Sequence, residues 1–284
     1  MKRPIFLAGM PRTGTTWIAS VLAATPGTAY FHEPFNYRQV EESAPFAMQY
    51  LRGSDAAPEL RAYCQRCFSG RQRHHSVICR QPKWQRLLPF SFGRTLIKDV
   101  HSLFALEWID RQFSPRIVVI LRHPMAFADS WFRMSGDKSN QAIDRLLTQP
   151  ALLEDYLQPF ASHLRAMDDF WSRIGAYWAA CYYVTLQQQQ KHPEWIVVRH
   201  EDFLEDTTTR FRELCARLEL SWTAKTEQYL LKSNARDSGE LYVPQRILSN
   251  EKEKWRRALT AEQMAAVARG AAPFKLATYP DLLA

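Results

Sequence analysis

The chain has 284 residues, 46% of them hydrophobic, which is enough to bury the core of one large α/β domain. Its formal net charge of +8 is expected of a protein that binds a ligand with several negative charges. No run of about eighteen apolar residues and no secretory leader occurs, which argues against a membrane-spanning or exported protein. We therefore expect a cytoplasmic protein. No repeat or low-complexity tract divides the chain, so we expect a single domain over residues 1–284.

Apolar segments that alternate with helical patterns predict a parallel sheet flanked by helices. The segment 117–121 is apolar throughout, as expected of a central strand buried on both faces. The predicted fold class is therefore α/β, with three layers and a central parallel sheet, and the loop from Gly9 to Thr16 makes the predicted fold P-loop-like. The predicted strands are Pro4–Ala8, Thr28–His32, Thr95–Lys98, Arg116–Leu121 and Trp195–Arg199, and the later predicted helices are Pro159–Gln190, Thr207–Leu218 and Thr260–Arg269.

The first predicted strand leads into a loop with the spacing of a phosphate-binding P-loop, Gly9-Met10-Pro11-Arg12-Thr13-Gly14-Thr15-Thr16. Its glycines allow the backbone to approach an anion, and the helix that follows directs N–H groups at it. Thr15 and Thr16 add hydroxyl donors, and Arg12 adds a cation. Thr15 occupies the position of the P-loop lysine that reaches the β and γ phosphates of a nucleoside triphosphate. The loop therefore favours a phosphorylated ligand other than ATP.

A second phosphate-binding pattern follows the fourth predicted strand. Arg122-His123-Pro124 ends that strand, and Ser130 stands eight residues after Arg122 on the next helix. A forked guanidinium and a hydroxyl suit a phosphate group. Together, the string Pro11–Trp17 and the Arg122/Ser130 segment resemble the 5′-phosphosulfate loop and the 3′-phosphate segment of sulfotransferases that use 3′-phosphoadenosine 5′-phosphosulfate (PAPS).

This resemblance implies that PAPS is the sulfuryl donor, that adenosine 3′,5′-bisphosphate is the product and that no metal is required. It also implies a nucleotide-closing segment near the C-terminus, which the chain matches in Ser249-Asn250-Glu251-Lys252-Glu253-Lys254-Trp255-Arg256-Arg257; an ordinary basic helix start explains this composition equally well. Golgi members of the family carry a membrane anchor, whereas this sequence is simplest as a bacterial cytoplasmic member. The implied donor-binding residues are Arg12, Thr13, Gly14, Thr15, Thr16, Trp17, Arg122, Ser130, Lys254, Trp255 and Arg256.

Catalysis requires a base for the acceptor proton and a cation for the leaving phosphate. Glu33, in Phe31-His32-Glu33-Pro34-Phe35, resembles the glutamate base of carbohydrate sulfotransferases, and we expect burial against Phe31 and Phe35 to raise its pKa. His101 remains the alternative base, with His32 a weaker neighbour. His101 stands three residues after Lys98, whereas cytosolic sulfotransferases place their histidine two residues after the lysine. Arg12 is expected to neutralise the leaving group, and Lys98 to approach the sulfuryl oxygens.

The acceptor side is predicted from residues 37–94, which we interpret as an insertion that shapes the acceptor site. The stretch Arg61–Lys98 contains nine Lys or Arg residues and no acidic residue. It is either a solvated surface or a wall that attracts an anionic acceptor. Because the segment around Glu33 resembles that of carbohydrate sulfotransferases, we expect a small-molecule or glycan acceptor that is sulfated on a hydroxyl, as a carbohydrate or glycolipid would be. We expect no nucleic acid as a partner. The oligomeric state stays open.

Two other functions and one metal site are also compatible with the residues. A P-loop kinase would use ATP and Mg²⁺, and a non-catalytic protein on this fold would bind polyanions without needing Arg12 or Arg122. Cys64, Cys67 and Cys79, with two neighbouring histidines, have enough soft ligands to hold zinc. Reduced thiols without a metal are the simpler expectation for a cytoplasmic protein.

Overall fold

The computed structural model describes residues 2–136, 141–238 and 253–279. Its five strands form one sheet in the order β2-β3-β1-β4-β5, and every neighbouring pair is parallel. All five predicted strands are confirmed, with bounds that coincide or differ by one residue. The strands are β1 (Ile5–Gly9), β2 (Thr28–His32), β3 (Arg94–Asp99), β4 (Arg116–Leu121) and β5 (Ile196–Arg199).

Helices connect the strands and cover both faces of the sheet. No described helix is both long and apolar enough to cross a lipid bilayer. The α-helices are α1 (Thr15–Ala23), α2 (Pro58–Phe68), α3 (His75–Ile78), α4 (Lys83–Arg86), α5 (Leu106–Phe113), α6 (Pro124–Ser135), α7 (Ala142–Leu147), α8 (Pro150–Leu152), α9 (Ala161–Ala166), α10 (Phe170–Lys191), α11 (His200–Glu205), α12 (Thr207–Arg217), α13 (Ala224–Ser238), α14 (253–258) and α15 (Ala261–Ala271). Short 3₁₀ turns lie at Glu41–Phe46, Leu103–Ala105, Gln158–Phe160 and Ala272–Phe274, and a π-helical turn lies at Leu153–Leu157.

One predicted helix, Pro159–Gln190, is wrong as a single element. The chain forms α9, breaks, and starts again as α10. Asp169 adopts an extended conformation, and its carboxylate accepts a hydrogen bond from the Ser172 N–H at 2.9 Å. This side-chain cap satisfies an N–H that a continuous helix would have paired with its own backbone, so a new helix begins there.

The two faces of the sheet bury separate apolar clusters, as the three-layer prediction requires. Along β1, Phe6 and Ala8 pack into one cluster, whereas Ile5 and Leu7 pack into the other. This alternation follows from the period of two in a strand. The first cluster includes the buried face of α10, and the second includes α1 and α12. Both layers of helices leave the carboxyl ends of the strands uncovered, which is where ligands bind in open α/β sheets.

Candidate active site

A cleft of about 1080 Å³ lies at the carboxyl ends of the strands. It brings together the loop after β1, the turns after β2 and β3, Arg122 after β4, and parts of helices α6, α7, α10 and α13. Among the described residues that line it, Glu33 is the one carboxylate. The cationic side chains in the lining belong to Arg12, Arg38, Lys98, His101 when protonated, Arg122, Arg145 and Lys232. The cleft therefore favours anionic ligands.

The loop after β1 has the backbone of an anion-binding turn. Gly14 has φ of 79°, and a Cβ atom at this position would overlap the His200 ring, so only glycine fits. It begins α1, and no side chain caps that helix. The first N–H groups of α1 are therefore available to an anion from the cleft, which Gly14, Thr15, Thr16 and Trp17 line.

The two predicted phosphate-binding elements are hydrogen-bonded to each other. Arg122 Nη1 donates to the carbonyl oxygen of Arg12 at 2.7 Å, across 110 residues of sequence. Arg12 Nε donates to Ser130 Oγ at 3.0 Å, and Ser130 is 3% exposed. Ser130 thus orients Arg12 and is not among the residues that line the cleft. Thr13 is fully buried, and its hydroxyl donates to the Met10 carbonyl at 2.7 Å, so it stabilises the loop.

Glu33 and Lys98 form a largely buried ion pair at the centre of the cleft. Glu33 follows β2 with φ of 45°, and its N–H donates to the Lys98 carbonyl at 2.7 Å. Lys98 Nζ contacts Glu33 Oε1, while Asn36 Nδ2 donates to Glu33 Oε2 at 3.0 Å. The Lys98 side chain is 2% exposed and that of Glu33 is 17% exposed. Both carboxylate oxygens of Glu33 are therefore engaged.

The predicted rise in the pKa of Glu33 is wrong. Burial does raise it, but the ammonium of Lys98 outweighs burial and lowers the pKa below its usual value. Burial lowers the pKa of Lys98, and the Glu33 carboxylate opposes that change. We describe the pair as ionised, because each charge is held in direct contact with its opposite. In this arrangement Glu33 is a weaker base than an isolated buried carboxylate.

Asp99 holds the two turns that carry the candidate bases. Its buried carboxylate accepts hydrogen bonds from the Phe35 N–H at 2.8 Å, the His101 N–H at 2.6 Å and Ser102 Oγ at 3.0 Å. His101 lines the cleft, where its ring packs edge-on against Tyr37 at 5.8 Å. His32 does not line the cleft, and burial lowers its pKa to about 4. Glu33 and His101 thus remain the two candidate bases.

The structure does not bring the described part of the predicted nucleotide-closing segment into the cleft. Trp255 stacks on His123 at 4.8 Å and is 7% exposed, and together with Arg256 it lines a separate pocket of about 220 Å³. Lys254 is exposed and lines neither cavity. Residues 249–252 of the predicted segment lie outside the described residues. A phosphate-contacting role for Lys254, Trp255 or Arg256 thus has no support from their positions.

The basic stretch Arg61–Lys98 is not the wall of the cleft. Lys98 lines it, but none of the other eight Lys and Arg residues of the stretch does. Some of these arginines instead contact other residues of the protein. Arg66 forms an ion pair with Glu42, and Arg73 donates a hydrogen bond to the Gln85 carbonyl at 2.9 Å. The interpretation of this stretch as a wall that attracts an anionic acceptor into the cleft is therefore wrong.

The cysteine-based zinc site is also not supported. Cys64 and Cys67 are buried, Cys79 is exposed, and burial raises the pKa of both buried thiols. Within the described ranges, the one group of three potential metal ligands in close proximity is Asp110, His192 and Glu194, far from these cysteines in sequence. Because Cys64, Cys67 and Cys79 do not belong to such a group, the three cysteines are best explained as thiols of the fold.

Several residues of the cleft were not predicted from the sequence. Arg38, Arg145 and Lys232 come from three distant elements, and no local motif marks them. His200, beneath Gly14, follows the last predicted strand directly. The rule that ligand sites form at the carboxyl ends of parallel strands would have included it.

Comparisons with known proteins identify the family of this chain. The sequence model of the sulfotransferase family matches residues 4–224. Among solved structures, the mouse sulfotransferase SULT7A1 complexed with PAP aligns over 100% of this chain and 88% of its own, with 12% identity and a TM-score of 0.51. The sulfotransferase domain of the Synechococcus PCC 7002 olefin synthase aligns over 97% and 96%, with 14% identity and a TM-score of 0.49. No curated protein is significantly similar in sequence. Because the family model covers most of the chain, this protein belongs to the sulfotransferase family.

Proposed function

We propose that the protein transfers the sulfuryl group of PAPS to a hydroxyl of a carbohydrate or glycolipid acceptor. One observation carries the proposal: the lysine-free phosphate loop, joined to Arg122 through Arg12, opens onto the same cleft as the buried Glu33–Lys98 pair. A phosphate site and a proton acceptor in one cleft are the two parts that sulfuryl transfer needs.

The donor would be held by the loop after β1 and by Arg122. The N–H groups at the start of α1, with the hydroxyls of Thr15 and Thr16, suit the 5′-phosphosulfate, and the Arg122 guanidinium suits the 3′-phosphate. Ser130 acts through Arg12, which it orients by the hydrogen bond to Arg12 Nε. Trp17 lines the same end of the cleft, where an aromatic face suits a purine ring.

In the reaction, an acceptor oxygen forms a bond to sulfur while the bond from sulfur to the 5′-phosphate oxygen breaks. The acceptor proton passes to Glu33, and adenosine 3′,5′-bisphosphate leaves with the electron pair of the broken bond. Arg12 and the loop N–H groups stabilise the charge that develops on the leaving oxygen. No step requires a metal, because the transferred sulfuryl group carries fewer charges than the γ-phosphoryl group of ATP.

The Glu33–Lys98 contact gives the donor a way to activate the base. The oxygens of the bound phosphosulfate compete with Glu33 for the Lys98 ammonium. When Lys98 turns toward the donor, Glu33 loses the cation that lowers its pKa, while burial continues to raise that pKa. Glu33 then becomes a stronger base only when the donor is present.

The acceptor assignment and the setting are part of this proposal. A glutamate after β2 is typical of carbohydrate sulfotransferases, and residues 37–94 of the proposed insertion contribute Tyr37, Arg38 and Met48 to the cleft. We propose that this insertion belongs to a single domain over residues 1–284. The five described cysteines are all unpaired, which fits the bacterial cytoplasm that we propose as its location.

Thermal shift with adenosine 3′,5′-bisphosphate, 5′-ADP, and ATP with Mg²⁺ tests the donor assignment. A ligand that binds only the folded state raises its stability by mass action, so the 3′,5′-bisphosphate alone should raise Tm. Arg122→Ala should abolish most of that rise, while Arg111→Ala, on α5 and outside the cleft lining, should retain it. A rise with ATP and Mg²⁺ alone would instead assign the protein to a kinase function, and a response unchanged by Arg122→Ala would remove Arg122 from the donor site.

A further inference from the structure

Two arginines contact one tyrosine ring in the lining of the cleft, and all three residues belong to elements other than the phosphate loop. The guanidinium carbons of Arg38 and Arg145 lie 5.8 and 5.7 Å from the centre of the Tyr37 ring. Arg145 Nη1 also lies 3.4 Å from the Tyr37 hydroxyl oxygen. All three residues line the cleft. The turn after β2 and helix α7 thus place two cations on a shared aromatic platform.

No carboxylate among the described residues forms an ion pair with either arginine. Within residues 2–136, 141–238 and 253–279, neither Arg38 nor Arg145 has an acidic oxygen within 4.0 Å. Two acidic residues close to them in sequence pair with other arginines, Asp144 with Arg173 at 3.1 Å and Glu42 with Arg66. The hydrogen bond from Arg145, together with the nearby Arg38, lowers the pKa of Tyr37 although burial opposes this change. Two unbalanced cations in a cleft attract an anion.

The pair lies next to the proposed base. Asn36, adjacent to Tyr37, donates its side-chain hydrogen bond to Glu33, and the Tyr37 ring packs against His101. The two guanidinium groups are therefore linked to His101 through Tyr37, and to Glu33 through Tyr37 and its neighbour Asn36. Arg12, Arg122 and the α1 N–H groups already suit the donor phosphates, so the pair is left for the other substrate.

We propose that Arg38 and Arg145 form a subsite for an oxyanion carried by the acceptor, a carboxylate or a sulfate or phosphate ester near the hydroxyl that is sulfated. This inference rests on the proposed sulfuryl transfer and narrows its acceptor to an anionic sugar. Guanidinium forks bind such groups through paired, charge-assisted hydrogen bonds. Trp131, Leu146 and Tyr177 also line the cleft and offer apolar surface to a sugar ring.

The subsite predicts a preference between two ligands that differ mainly in one carboxylate. We would measure the affinity of 4-nitrophenyl β-D-glucuronide and of 4-nitrophenyl β-D-glucoside by calorimetry, with and without saturating adenosine 3′,5′-bisphosphate. The glucuronide should bind at least about tenfold more tightly, and the preference should fall as salt rises. In the double variant Arg38→Ala/Arg145→Ala the two ligands should bind alike.

Arg61→Ala is the matched control, because Arg61 is an exposed arginine outside the cleft lining. It should keep the full preference. Equal binding of the two ligands by the natural protein, undetectable binding of both, or a preference that survives in the double variant would each overturn the subsite. The test of the subsite can be separated from the test of the donor. A failure of adenosine 3′,5′-bisphosphate to bind would contradict the proposed function, whereas the glucuronide preference is also measured in the absence of this nucleotide.

Discussion

At the scale of single residues, the base strength of Glu33 depends on one contact more than on its apolar surroundings. Phe31 and Phe35 are buried beside it, as expected, yet Lys98 lowers the pKa of the carboxylate. A buried ion pair contributes little net stability, because desolvation of both charges offsets their attraction. Its presence in the cleft is consistent with the proposed role, in which Lys98 turns to the donor and leaves Glu33 as the base.

Replacement of Glu33 tests this role. Glu33→Gln keeps the shape and the hydrogen bond to Asn36 but cannot take a proton, so turnover should fall by about 10² or more. The affinity for adenosine 3′,5′-bisphosphate, measured by calorimetry, should change little. That binding also shows that the variant is folded although Lys98 has lost its partner.

His101→Asn is the companion variant for the alternative base. It should reduce turnover far less than Glu33→Gln if Glu33 accepts the proton. A large loss in His101→Asn together with near-normal turnover in Glu33→Gln would assign proton transfer to His101.

At the scale of elements, the helices α10 and α15 pack so closely that two glycines are required between them. A Cβ atom on Gly270 would overlap the Ser172 carbonyl oxygen, and one on Gly175 would overlap that of Val267. Backbone atoms cannot move aside as side-chain ends do, so the helices would have to separate. Helix α10 also carries Tyr177, which lines the cleft, so this packing helps to fix that part of the cleft lining.

Gly270→Ala should therefore lower the free energy of unfolding by about 1–3 kcal/mol, the usual range for an overpacked contact. Urea denaturation would measure the change. Gly53→Ala is the matched control, because an added Cβ there has its nearest neighbour, Arg111 Cδ, at 3.5 Å, an ordinary contact distance. Equal stability of the two variants would show that α10 and α15 separate without cost.

At the scale of the whole molecule, a histidine beneath the phosphate loop links folding to pH. Burial, with a smaller contribution from Arg122, lowers the pKa of His200 to about 3 from an ordinary value of 6.5. In the unfolded chain this histidine takes a proton near pH 6.5, whereas in the folded protein it stays neutral down to about pH 3. The unfolded state thus binds more protons between these values, and stability must fall as the pH falls through that window.

Unfolding at pH 7.5 and 5.0 would measure this effect. His200→Gln removes the titrating group, so the stability that it loses between the two pH values should be smaller than the natural protein's loss by up to about 2 kcal/mol. His75→Gln, at an exposed histidine, is the control and should lose as much as the natural protein. Equal acid sensitivity of His200→Gln and the natural protein would contradict a neutral His200.

The sequence by itself determined the sheet and the donor side of the cleft. Strands are local apolar segments, and the loop from Gly9 to Thr16 needs particular residues at fixed spacing, so both are visible in a single stretch of chain. The carboxyl-end rule then placed Glu33, Lys98 and Arg122 in one cleft before any contact was known. The resemblance to sulfotransferases rested on that loop and on the Arg122/Ser130 segment, and the family model confirms it.

Only the tertiary structure decided the charge environment of the site. The ion pair of Glu33 with Lys98 reversed the expected pKa shift, and the cleft is lined by Arg38 and Arg145, whereas the basic stretch from Arg61 contributes only Lys98. Trp255 was found against His123 and outside the cleft. The physical reason is the same in each case: electrostatic interactions depend on distances of a few ångströms between side chains from remote elements, and a linear pattern contains no such distances.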